Sequence, residues 1–274
     1  MSGAPDPLYI AARHTLLDAL DALRDHQDAI VLVGAQAVYL HSGDADLAVA
    51  PYTTDGDLAL DPGQLRDSPL LEELLAAARF HPEFDVGRWS KQVAVDGVRR
   101  SMIVDLLVPS RVSGSGRRGA RIPPHGDRVA RKVSGLEGAL VDRDRRLIEA
   151  LDTNDERRFE IFVAGPAALM VAKVFKIRER VGSPDRLIDK DALDVLRLLR
   201  AVPTDELVRR VELMRQDDLS RDVANSALQD MTTLFGSASA AGCTMAARAA
   251  YPLEAEATIR ASAATLANDL MRKV

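Results

Sequence analysis

The chain of 274 residues contains one cysteine, Cys243. A single thiol excludes an internal disulfide framework and a thiolate zinc site, which fits a reducing, cytoplasmic setting. A secretory signal is also missing, because Met1-Ser2-Gly3-Ala4-Pro5-Asp6-Pro7 shows no basic segment leading into an apolar one. The longest uncharged run, Met231 to Ala247, is rich in Ser, Thr and Gly, too short and too polar to span a bilayer; no membrane partner is expected. Positive charge is not in excess. Thirty-six Lys and Arg stand against 41 Asp and Glu, a net charge of −5, so contact with nucleic acid must rest on a local patch. The five histidines, His14, His26, His41, His81 and His125, have no metal-ligand spacing, and no internal repeat is visible.

What is present begins with 47% apolar residues, enough for a packed core in one large domain or two of ordinary size. Leu16, Leu20 and Leu23 recur at helical spacing within residues 8–26 and predict an amphipathic helix covering a sheet, its acids and bases facing water. Val31-Leu32-Val33 reads as a short buried strand. It ends in a small pair, Gly34-Ala35, before helical Gln36 to Leu40, and glycine at such a turn lets the backbone approach a ligand. A second covering helix is expected over Leu70 to Phe80, with Pro69 near its start and Pro82 beyond its end. Arg88 to Val95 and Val98 to Val108 flank Asp96-Gly97, a hairpin signal.

Charged residues in apolar settings carry the chemistry. Thr53-Thr54-Asp55-Gly56-Asp57-Leu58 places two carboxylates one residue apart at the head of an apolar strand, where alternation points both the same way. Such a pair suits a hard cation such as Mg²⁺, whose remaining positions are left to water and substrate phosphates. Asp105 is the charge set in Met102-Ile103-Val104-Asp105-Leu106-Leu107-Val108 and, if buried, needs a partner or a metal. Residues 111–132 hold Arg111, Arg117, Arg118, Arg121, Arg128, Arg131 and Lys132 against Asp127 alone, in Gly-, Ser- and Pro-rich sequence. This reads as a loop, either a phosphate-contacting segment or a merely solubilising one. Aromatic residues are absent from it, so base stacking by the loop is not expected.

Further on, Arg158 to Gly165 is strand-like, and Pro166 suits the first position of a helix running to Arg180. Lys173 and Arg180 lie two turns apart on one stripe, with Leu169, Val171, Ala172 and Phe175 around them. After Gly182-Ser183-Pro184 another helix carries Lys190, Asp191 and Asp194, the two acids on one face. Residues 201–274 are predicted helical.

The apolar-Gly-small turn at Val33-Gly34-Ala35 and the Asp-x-Asp at Asp55-Gly56-Asp57 resemble the nucleotidyltransferase superfamily that includes DNA polymerase beta. Ala35 stands where Ser or Gly is usual. Over roughly residues 29–200 the order of turn, Asp-x-Asp, Lys-to-Arg helix and Asp-x-x-Asp helix resembles the AbiEii family of nucleotidyltransferase toxins, which includes the mycobacterial MenT toxins of type IV toxin–antitoxin pairs. The resemblance implies an α+β protein: a polymerase-beta-like core of mixed sheet and helices, residues 1–150, then a mostly helical lobe, residues 151–274, that completes the site. It implies transfer of a nucleoside monophosphate from an NTP to a hydroxyl acceptor, the tRNA 3′ end in MenT-like members, and a cognate antitoxin as partner. One or two Mg²⁺ would be held by Asp55 and Asp57, with Asp105 as third ligand or as base. Gly34, Ala35 and Thr54 would line the nucleotide, Lys173 and Arg180 would meet the β- and γ-phosphates, and Asp191 or Asp194 would orient that lysine or accept a proton. Two other readings use the same core: a small-molecule, antibiotic-type nucleotidyltransferase, which needs no basic loop, and a catalytically inactive nucleotide-binding protein.

Overall fold

A computed structural model describes residues 5–43, 52–181 and 189–274; the expected break at Gly182-Ser183-Pro184 and the first four residues of the N-terminus lie outside them. The chain is α+β, with a mixed parallel and antiparallel sheet and, among the described residues, nine α-helices. It divides into two compact units that interleave in sequence. The first is Met1–Gln36, Pro51–Ser134 and Arg143–Val163; the second is Ala37–Ala50, Gly135–Asp142 and Ala164–Val274.

The first unit is built on helix α1 (Pro7–Ala22) and strands β1 (Ile30–Val33), β2 (Asp55–Leu60), β3 (His81–Pro82), β4 (Arg88–Val95), β5 (Val98–Pro109), β6 (Arg131–Val133), β7 (Arg143–Glu149) and β8 (Arg158–Ala164). The sheet order is β3-β4-β5-β2-β1-β8-β7, and β6 pairs with β5. All four residues of β1 are buried, as expected of a central strand covered on both faces. It runs antiparallel to β2 and parallel to β8, while β2 runs parallel to β5. The β4–β5 hairpin forms as the sequence predicts. Its turn residues Asp96 and Gly97 have φ of 50° and 77°, the left-handed pair that a tight two-residue turn requires.

Pro7 opens α1, and Asp6 caps it by accepting from the Leu8 amide at 2.8 Å. Leu16, Leu20 and Leu23 are buried as expected, but α1 stops at Ala22 and a short 3₁₀ segment, Arg24–Ala29, follows. Not every charge on α1 meets water. Arg13 is 3% exposed, because its guanidinium donates to the Gln36 side chain at 2.7 Å and the Glu149 carbonyl at 2.8 Å; a buried cation is tolerated when its donors are used. The helix α3 spans Leu71–Ala77. A second correction falls at the end of the basic segment, where Arg131 and Lys132 belong to β6, parallel to β5, rather than to a loop.

The second unit contains most of α2 (Gly34–Ser42), then α4 (Pro166–Arg180), α5 (Asp189–Ala201), α6 (Thr204–Gln216), α7 (Arg221–Phe235), α8 (Ala241–Ala250) and α9 (Glu256–Lys273). Helix α5 is buried from Asp191 through Leu199 and packs on α4, α8 and α9. The start of α4 is capped from a distant segment: the Asp142 carboxylate accepts from the Ala168 amide at 2.9 Å and from Arg210 at 2.7 Å. A side chain at Gly165 would run into that carboxylate, its Cβ only 2.0 Å from Oδ1. Cys243 is a free, buried thiol. Among the described residues no helix is long and apolar enough to cross a membrane.

Candidate functional site

Strand β2 begins with Asp55, and Asp57 follows two residues on, so both carboxylates stand on the same face while Gly56 and Leu58 point into the core. The parallel register sets Asp57 directly opposite Asp105 of β5, and the antiparallel register on the other side sets it opposite Val33. Gly34, with φ of 69°, follows Val33; a Cβ there would lie 1.9 Å from Asp57 Oδ2. The turn is therefore glycine by necessity. Ala35 is buried. Thr54 donates its hydroxyl to Asp55 Oδ1 at 2.9 Å, and Gln36 donates to the Asp55 carbonyl at 3.0 Å while accepting from Arg13. This Arg13-Gln36-Asp55 chain ties α1 and the start of α2 to the first carboxylate.

Asp105 is 8% exposed. Burial first, and the Asp57 carboxylate second, push its carboxyl up to about 7 against the pull of Arg131 and Arg88, with Asp55 adding to the rise. The two arginines are its partners. Arg131 donates to Oδ2 at 3.3 Å, and Arg88 Nε lies 3.4 Å from Oδ1. Arg88 occupies the position of β4 opposite Asp105, so Asp57, Asp105 and Arg88 form one row across three strands. Among the described residues no group of three or more His, Cys, Asp or Glu side chains is gathered as a ready metal cage; Asp105 is committed to arginines on one side and faces Asp57 on the other.

In the second unit, Lys173 of α4 donates to Asp191 and Asp194 of α5, both at 2.7 Å. Lys176 lies 3.3 Å and Arg180 3.7 Å from Asp191, so the cationic stripe and the Asp-x-x-Asp face meet. Burial alone would lower the lysine's pKa, but the two carboxylates override it and hold the ammonium well above its ordinary value. Burial would raise the Asp191 carboxyl, but Lys173 and Lys176 outweigh it and hold the group below the ordinary carboxylate range. Arg197, also of α5, is buried with its guanidinium 5.4 Å from the Tyr39 ring centre. Arg197 Nε lies 4.0 Å from Asp194 Oδ1.

Of the basic segment, Arg111, Arg117, Arg118 and Arg121 are exposed, while Arg128 donates to the Phe84 carbonyl at 2.8 Å and Arg131 is held by Asp105. Phe84 is 92% exposed, and its neighbour Val86 lies 3.5 Å from where a Gly119 Cβ would be. His26 and His125 stack edge to face at 5.4 Å and bond backbone groups of Pro69, Arg66 and Leu71. An open cavity lined by Glu149, Asp152, Asp155 and Arg157 includes none of the expected site residues.

Arg88, Arg131, Gln36 and Arg13 are site neighbours that sequence reasoning passed over. Arg88 had a signal: counting back residue for residue from the Asp96-Gly97 turn puts it opposite Asp105. No known family's model matches this chain, and no curated protein matches it.

Proposed function

We propose that this protein is a metal-dependent nucleotidyltransferase of the AbiEii/MenT kind, moving a nucleoside monophosphate from an NTP to the 3′-hydroxyl of RNA, with tRNA the favoured acceptor and growth arrest, relieved by a cognate antitoxin, the biological outcome. The observation that carries this reading is the placement of Asp55, Asp57 and Asp105 on adjacent parallel strands beside the Gly34 turn. Their chemistry fits Mg²⁺: carboxylate oxygens are the donors a hard cation takes, one or two suffice when phosphates supply the rest, and Asp105 Oδ1 is a buried oxygen without a hydrogen-bond partner. Bound there, Mg²⁺ supplies charge neutralisation at the transferring α-phosphoryl group.

The chain's own residues do the remainder. Asp55 and Asp57 bind from one strand face, and Thr54 fixes the Asp55 carboxylate by its 2.9 Å hydrogen bond. Asp105, register partner of Asp57, serves as third ligand or as the base that takes the proton of the attacking hydroxyl. Gly34 and Ala35 open α2, where backbone amides favour phosphate. An RNA acceptor is favoured over a small molecule by exposed Arg117, Arg118 and Arg121, whose charge suits a phosphate backbone, and by exposed Phe84, whose carbonyl Arg128 of the same basic segment holds. For Lys173 the geometry favours a second reading, an ion-pair centre of the helical unit, because two carboxylates already hold its ammonium.

The test incubates the protein with each α-labelled NTP, Mg²⁺ and total RNA. Label should enter tRNA with one or two of the four nucleotides and vanish with Asp57→Ala. No label in any acceptor with any nucleotide, or equal labelling by Asp57→Ala, would overturn the reading.

A further inference from the structure

Arg88 and Arg131 converge on one carboxylate, yet neither satisfies it well. Arg88 Nε and Asp105 Oδ1 are shut off from solvent and meet at 3.4 Å as an ion pair without a hydrogen bond, and Arg131 Nε, also buried, makes no hydrogen bond among the described residues, where native interiors leave few such atoms. The convergence is built into the backbone. Gly87, with φ of 77°, sits so close to β6 that a Cβ would lie 2.4 Å from the Arg131 amide nitrogen and 2.6 Å from the Leu106 carbonyl oxygen. Any other residue would part the strands that carry the two guanidiniums. Both side chains remain partly exposed, at 35% and 39%, and the other carboxylate beside Arg88 among the described residues is exposed Asp85 at 3.7 Å.

Asp55, Asp57 and Asp105 outnumber the two arginines, so the cluster as it stands favours a cation. A divalent cation taking those carboxylates adds positive charge to the cluster and frees guanidinium donors whose fork geometry matches phosphate oxygens. We infer that Arg88 and Arg131 are a polyphosphate-binding pair, held by Asp105 until a divalent cation takes that carboxylate, so that cation binds first and the nucleotide's phosphates second. This rests on the nucleotidyltransferase reading and adds to it two residues and an order of binding.

The experiment measures binding, not turnover, by titration calorimetry on the full chain with two probes, Mg²⁺ alone and inorganic tripolyphosphate in saturating Mg²⁺. In Arg88→Met/Arg131→Met, Mg²⁺ alone should bind several-fold more tightly, because its competitors for Asp105 are gone. Tripolyphosphate should bind at least tenfold more weakly. Arg88→Lys and Arg131→Lys singly keep the charge and should lose less, which preserves the test if the double variant folds poorly. Equal tripolyphosphate affinity in wild type and variants would overturn the pair's role while leaving the nucleotidyltransferase reading standing. Parallel weakening of both probes together with a lower unfolding midpoint would make the arginines structural. Wild-type protein that binds tripolyphosphate in neither the presence nor the absence of Mg²⁺ would sink both readings.

Discussion

Asp57 of β2 and Asp105 of β5 are register partners in a parallel strand pair, two carboxylates side by side on one sheet face. Like charges directly opposite one another destabilise a sheet, and here the burial of Asp105 and the presence of Asp57 both hold its carboxyl toward neutrality. A fold keeps such a pair where something else uses it, since local rules are broken mainly at functional sites.

Gly34→Ala tests whether the turn beside Asp57 is built for the site. The methyl group would meet the Asp57 carboxylate and force a left-handed residue, a backbone cost of about 1–2 kcal/mol. We expect a modest fall in unfolding free energy and a loss of transfer larger than that fall accounts for. Wild-type kcat in the folded variant would show that Asp57 tolerates displacement.

Lys173→Met separates the two readings of the helical unit. It strands Asp191 and Asp194, which are 5% and 1% exposed in their side chains, and breaking a buried pair from one side costs about 3–5 kcal/mol. Denaturant unfolding should show that loss, and adding Asp194→Leu should recover part of it. If Lys173→Arg restores stability but not transfer, the lysine also meets the nucleotide; if it restores both, the role is structural.

Neutralising Arg117, Arg118 and Arg121 together should weaken RNA binding at low salt and flatten its dependence on log salt by about 0.7 for each phosphate no longer neutralised. A filter-binding series at several salt concentrations measures this. An unchanged slope would reduce these residues to solubilising charges.

Acid should loosen the first unit through Asp155. The side-chain hydrogen bonds of Arg157 lower the Asp155 carboxyl from 3.8 to about 2, against a smaller opposing effect of burial, and Arg157 also bonds Asp18 of α1. A carboxyl depressed in the folded state contributes stability above its ordinary value and loses it as pH falls from about 4 toward 2. The unfolding midpoint followed from pH 6 to pH 2 should drop across that window, and Asp155→Asn should lower the plateau and flatten the drop.

Local pattern by itself makes much of this protein legible. The period-two placement of Asp55 and Asp57, the Asp96-Gly97 hairpin and the proline openings of α1 and α4 all depend on neighbours within a few turns or one tight turn, where geometry follows from residue order. Tertiary structure decided the rest. Parallel pairing of β2 with β5 has no turn to set its register, so the meeting of Asp57 and Asp105 could not be counted from the chain. Long-range packing likewise decided the burial of Arg13, the capping of α4 by Asp142, the capture of Arg131 by Asp105 and the return of β8 to β1 across the expected boundary at 150. For Arg13 and Asp142 a charged group that sequence alone would leave in water is held inside by a partner tens of residues away, and only the folded chain brings that partner within hydrogen-bond reach.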